Sequence, residues 1–104
     1  MKKFLIVMLA LFIGSACFAY QPPITSFYTN GADTVAVTID PTSGYLYMTV
    51  NNSYRFIFTA AGVDSIGFHW HCDQFGDLLF SIDCTRLTVY EYTSGQIFYF
   101  TLIS

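Results

Sequence analysis

TVAVTIDPTSGYLYMTVNNSYRFIF, residues 34–58, holds two runs of strict alternation divided by turn chemistry. Val35, Val37 and Ile39 share one face against Ala36, Thr38 and Asp40, while Leu46, Met48 and Val50 oppose Tyr45, Tyr47 and Thr49. Successive side chains of a strand point to opposite sides, so each run reads as a half-buried β-strand. Asp40-Pro41-Thr42-Ser43-Gly44 and Asn51-Asn52 are turns, because Asp and Asn bond their own backbone and Asn and Gly tolerate positive φ. The segment from Tyr54 to Ala60 is apolar or aromatic on both faces, which predicts a central or covered strand.

The same grammar continues outward. Ile66, Phe68, Trp70 and Cys72 oppose Ser65, Gly67, His69 and His71; Leu78, Phe80, Ile82 and Cys84 oppose Leu79, Ser81 and Asp83. Further turn signals stand at Ala61-Gly62, Phe75-Gly76 and Ser94-Gly95, and residues 96–103 are again apolar on both faces. Short runs rich in Val, Ile, Thr, Tyr and Phe between turns spaced by about eight to twelve residues predict an all-β domain. The expected fold is a small antiparallel β-sandwich or partly open barrel of about seven short strands. A membrane-spanning barrel needs at least about eight strands of roughly nine to eleven residues, more than these runs supply.

Ahead of the domain, Lys2 and Lys3 precede ten apolar residues, Phe4 to Ile13, and then small residues up to Ala19. Charged start, short apolar run and small residues before a cut form a secretory signal, and the run is too short for a span of roughly 20 residues. Residues 1–19 are therefore expected to be a signal peptide and 20–104 a single small β domain, exported to the periplasm or the medium of what reads as a bacterium. Cleavage after Ala16 instead of Ala19 would leave Cys17 at the new N-terminus, open to lipidation and membrane anchoring.

Removal of the leader takes both lysines with it. Arg55 and Arg86 then face seven carboxylates, a net charge of −5. Phosphate contacts need clustered cations, so nucleic acid is excluded as a partner. An oxidising compartment and two remaining cysteines predict a Cys72–Cys84 bridge. Register offers a competing arrangement: a tight hairpin with residues 73–77 as its loop sets Cys72 against Leu78 and Trp70 against Phe80, aligning the apolar residues of both strands but holding the two cysteines apart as free thiols.

His69 and His71 point to one side of their strand, half of a metal site that Asp73 or Asp83 would have to complete. The competing reading is a solvent-facing pair of histidines. Catalysis has little footing: no nucleophile motif accompanies the serines, nothing pairs the acids, and Cys72 falls on the core face. The chain is read as a non-enzyme, and no motif asks for a cofactor. Tyr45, Tyr47 and Tyr54 form a candidate uncharged aromatic surface for a protein partner or a sugar ring. Residues 96–103, without charge or proline, would recruit a second copy if they lay at a sheet edge.

Asp40-Pro41-Thr42-Ser43-Gly44-Tyr45 resembles the N-P-T-T-G-Y loop of chagasin-type cysteine-protease inhibitors, and Tyr54 to Trp70 and Arg86 to Tyr90 look similar to later strands of that family. The resemblance implies an immunoglobulin-like domain that blocks a protease cleft through the Asp40–Tyr45 loop. The chain departs from the family in the short stretch between that loop and Tyr54, in lacking the Arg-Pro-Trp-type loop, and in a strand after Tyr92. The expectation is thus an exported β-domain that works by binding a partner or by assembly, with metal binding through His69 and His71 or protease inhibition as the alternatives.

Overall fold

Eight strands follow one another around a closed antiparallel barrel, each hydrogen-bonded to its neighbours in sequence. They are β1 (Ile24–Thr29), β2 (Thr34–Ile39), β3 (Leu46–Val50), β4 (Tyr54–Val63), β5 (Gly67–Cys72), β6 (Gly76–Ser81), β7 (Arg86–Glu91) and β8 (Ile97–Leu102), preceded by a helix, α1 (Lys2–Ile13). This computed structural model describes residues 2–13 and 22–103. Ala16, Cys17 and Ala19, on which the expected cleavage and lipidation turn, lie outside the described residues.

Alternation places the core. Val35, Val37, Ile39, Leu46, Met48, Phe58, Phe68, Trp70, Leu78, Phe80, Leu87 and Val89 all point inward and are buried. Each such side chain contributes on the order of 2 kcal/mol by leaving water. The wall faces outward with Thr38, Thr49, His69, His71, Asp77, Arg86 and Thr88, all exposed or half-buried. A membrane-spanning barrel has the reverse polarity, apolar outside and polar within. The strand count reaches eight and the ten-residue β4 is long, and the outer wall also exposes Phe27, Ile57, Ile97 and Tyr99, so the contrast with that class rests on the apolar interior and on the five or six residues of the other strands. No described helix is long and apolar enough to cross a membrane.

The all-β expectation holds, with one strand more than the sequence suggested and closure where a sandwich was also open. The added strand is β1, whose Thr25, Ser26 and Thr29 dilute its hydrophobic pattern. Its pairing with β8 at Tyr28↔Leu102 and Thr29↔Thr101 closes the ring. Residues 96–103 are therefore no sheet edge: β8 pairs with β7 along its length and with β1 at its end. Nor is the outer face of β4 or β8 covered, since Ile57 and Tyr99 are exposed. Of the two expected positions, central or covered, these strands take the central one, each hydrogen-bonded to a neighbour on both sides.

Turns behave as their chemistry dictates, with one exception. Asn51 and Asn52 both take positive φ (51° and 60°), and Ser53 N–H donates to Val50 O at 2.9 Å, the primed turn whose twist matches a hairpin. Asp40 Oδ1 accepts from Thr42 N at 3.0 Å, and Gly44 N–H donates to Asp40 O at 2.8 Å. Ala61-Gly62 is the exception. It is a β-bulge inside β4, where the register against β5 shifts, and the turn follows at Asp64–Ile66.

The β5–β6 hairpin is tight, but its register is two residues away from the one the sequence suggested: Trp70 pairs with Leu78, Phe68 with Phe80 and Cys72 with Gly76. Cys84 lies beyond the far end of β6, in the turn to β7, with a φ of 61°. Cys72 and Gly67 mark opposite ends of β5, roughly 17 Å at the strand rise, and Cys84 lies past the Gly67 end. A bridge needs Cα atoms within about 7 Å. Both thiols are accordingly free, and the expected disulfide is not formed. A closed meander of eight strands also differs from the two-sheet immunoglobulin-like sandwich that the Asp40–Tyr45 resemblance implied.

Candidate functional site

The turns after β1, β3, β5 and β7 rim one mouth of the barrel; those after β2, β4 and β6 rim the other. At the first mouth the inward side chains do not meet across the axis. They leave a cleft of about 240 Å³ lined by Val35, Met48, Val50, Tyr54, Phe56, Phe75, Val89, Phe98 and Phe100, with Asp33 and Glu91 at its edge. One wall is aromatic: Phe56 and Phe75 rings lie 4.5 Å apart, Phe75 sits 5.8 Å from Phe58, and Tyr54 6.4 Å from Phe56. Both edge carboxylates accept hydrogen bonds from neutral donors, Asp33 from Asn51 Nδ2 at 2.8 Å and Glu91 from Ser94 Oγ at 2.6 Å. The result is an apolar cup with an acidic lip.

An eight-stranded barrel is just wide enough to be filled by its own side chains or to hold one small ligand. The volume is above the roughly 150 Å³ that admits benzene into an engineered cavity and below the roughly 300 Å³ of a drug-sized pocket. A two-ring aromatic or a short alkyl body fits between those bounds.

The second mouth is covered by α1. Phe4, Val7 and Met8 are buried beneath the helix, while Ile6 and Leu9 face outward. Phe12 packs edge-on against Phe68 and Trp70 at 5.1 and 5.2 Å, Phe4 lies 6.0 Å from Phe80, and Trp70 Nε1–H donates to Met8 Sδ at 3.3 Å. Below this mouth Tyr28 hydroxyl donates to the Cys84 carbonyl at 2.6 Å, and burial raises its pKa. Burial, with the nearby Asp83 charge, pushes the Cys84 thiol up to about 12, leaving it a protonated, unreactive group.

The tyrosines expected to form one surface are divided. Tyr47 lies on the outer wall with Arg55 Cζ 4.2 Å above its ring, and Tyr45 is exposed just before β3. Tyr54 pairs with Val50 and has the inward parity, so it stands on the lip of the cup, 72 % exposed. Of the three, only Tyr54 belongs to the cleft. Of its wall companions, Phe56 and Phe98 lay in runs apolar on both faces and Phe75 in a turn signal, so nothing in the sequence marks them as the lining of an unfilled end.

His69 and His71 do share the outer face of β5, and carboxylates separate them. His69 Nε2 meets Asp64 Oδ2 at 3.0 Å. His71 is clamped between Asp77 Oδ1 on Nδ1 at 2.8 Å and Asp73 Oδ1 on Nε2 at 2.6 Å, with Tyr92 hydroxyl donating to Asp77 at 3.0 Å. The Asp77 and then the Asp73 hydrogen bond raise the His71 pKa. Both ring nitrogens of His71 are thus engaged by carboxylate oxygens. Among the described residues no three His, Cys, Asp or Glu side chains are grouped as a metal ion requires.

Comparison with protein-family models, curated proteins and solved structures finds no match for this chain.

Proposed function

We propose that this is an exported, non-catalytic binding protein whose ligand is a small, neutral, apolar molecule held in the first mouth of the barrel. One observation carries the reading: the apolar cleft of about 240 Å³ with an aromatic wall at the mouth that α1 leaves open. The acidic lip and the net charge of −5 expected after leader removal argue against an anionic ligand such as a fatty acid. The binding class expected from the sequence is kept; the tyrosine-rich outer surface gives way to the barrel mouth as the place of binding.

Fluorescence titration with a neutral naphthalene probe tests this in the full-length chain, where α1 covers the other mouth. The expected result is saturable binding in the micromolar range, weakened at least tenfold by Phe75→Ala, which removes the ring facing Phe56. Binding absent up to millimolar probe, or unchanged by Phe75→Ala, contradicts the proposal.

A further inference from the structure

At the second mouth the structure contains its own stand-in for a ligand. The inner side of α1 presents Phe4, Val7 and Met8 to the barrel, with Phe12 against Phe68 and Trp70. From Phe4 to Phe12 the helix axis advances about 12 Å. Midway along it, Met8 Sδ accepts the hydrogen bond of the fully buried Trp70 indole. Hydrocarbon on either side and one acceptor in the middle is therefore the chemistry that fills this mouth.

The helix is no part of the sheet: all eight strands and the closing β1–β8 pair lie within residues 24–102. Its sequence is also the apolar run of the expected signal. Once residues 1–19 leave, the aromatic floor is uncovered and Trp70 Nε1–H loses the acceptor it has in the described structure. Water can then reach this N–H, but a ligand that buries it again without offering an acceptor leaves a buried donor unpaired, which is costly.

We propose that this mouth is a second binding site, specific for an elongated neutral molecule with one hydrogen-bond acceptor near its middle, and that the leader helix fills the site until it is removed. Charge narrows the ligand class further. Asp40, Asp64 and Asp83 lie in the three turns that rim this mouth, against Arg86 alone at the start of β7. An anion would face a mostly acidic ring, so a carboxylate-headed chain is a poor occupant. The site differs from the first mouth in having a polar contact that must be met. Its emptiness in the exported protein rests on the export reading above; its chemistry does not.

Trp70 is the single tryptophan of the chain, so its indole N–H gives one resonance to follow. The ¹⁵N-labelled chain beginning at Tyr20 is titrated with 6-undecanone, with undecane and with undecanoate. The full-length chain and full-length Val7→Asp/Met8→Asp, whose charges expel the helix without truncation, are titrated in parallel. The ketone is expected to move the indole resonance saturably in both opened forms and not in the full-length wild type. Undecane should bind at least fivefold more weakly and undecanoate at least tenfold more weakly, and Phe75→Ala should change none of this. An unmoved indole in both opened forms, equal affinity for ketone and undecane, or equal binding to the covered wild type overturns the proposal. Loss of the folded spectrum in both opened forms overturns it too, by making the helix a part of the core. None of these outcomes bears on naphthalene binding at the first mouth, which is read in the covered chain.

Discussion

His71 shows how one side chain on an exposed wall becomes a pH-sensitive element. Its two carboxylate partners raise its pKa above the ordinary value of 6.5. A raised folded-state pKa stabilises the fold fully below the unfolded value, and that contribution is lost as pH rises through the folded value. The expected imidazole midpoint by NMR titration lies above 6.5, and Asp77→Asn should bring it down toward that value. Urea melts should show wild-type stability declining through that window relative to Asp77→Asn; a midpoint unmoved by Asp77→Asn would contradict the clamp. The thiols give a second residue-scale expectation. Intact mass after alkylation of the unreduced native chain should show Cys72 modified first. Cys84, buried and with its pKa pushed to about 12, should react only on unfolding. A mass showing a Cys72–Cys84 bridge would contradict the β5–β6 register. Sequence parity placed His69 and His71 together on one face correctly. It had no access to Asp64 and Asp77, which reach the two imidazoles from other segments and divide the pair.

Among the elements, the hairpins were the most legible and the ring closure the least. Alternation over Val35–Ile39 and Leu46–Val50 fixes which face is inside, because a slip of one residue would turn every apolar side chain to water. It leaves slips of two residues open, which is why Cys72 could have been set against Leu78 and is found against Gly76. The deciding contact is steric. A Cβ on Gly76 would collide with the Tyr90 carbonyl of β7, and one on Gly67 with the Phe80 carbonyl of β6. Only glycine allows these close approaches of β5 to β6 and of β6 to β7. Gly76→Ala is expected to destabilise the barrel by about 2–4 kcal/mol in denaturant unfolding, as overpacking against backbone does. Gly95→Ala, in open space with a φ of 70°, should cost only about 1 kcal/mol for its left-handed backbone. Equal costs at the two positions would mean that the close approach at Gly76 is not formed. β1 escaped the sequence reading because Thr and Ser carry half its length, and its role is visible only once β8 comes around to meet it.

For the whole molecule, closure turns a hydrophobic pattern into a container. The inward residues were readable as a core, yet whether a core fills or leaves a cup depends on strand number and on side chains meeting across an axis, neither of which is local. Here the barrel is filled in its middle, covered by α1 at one end and open at the other, where Phe56, Phe75 and Tyr54 form the wall. On the proposed function, a ligand sits in this open mouth. Isotope-filtered NOE spectroscopy on ¹³C-labelled full-length protein with a bound neutral naphthalene locates the ligand directly. The expected contacts run from the naphthalene protons to the Met48 methyl, the Val35 and Val50 methyls and the Phe75 ring. Contacts to outward side chains such as Ile57 and Leu79, with none to Met48 or Val50, would contradict the proposed function.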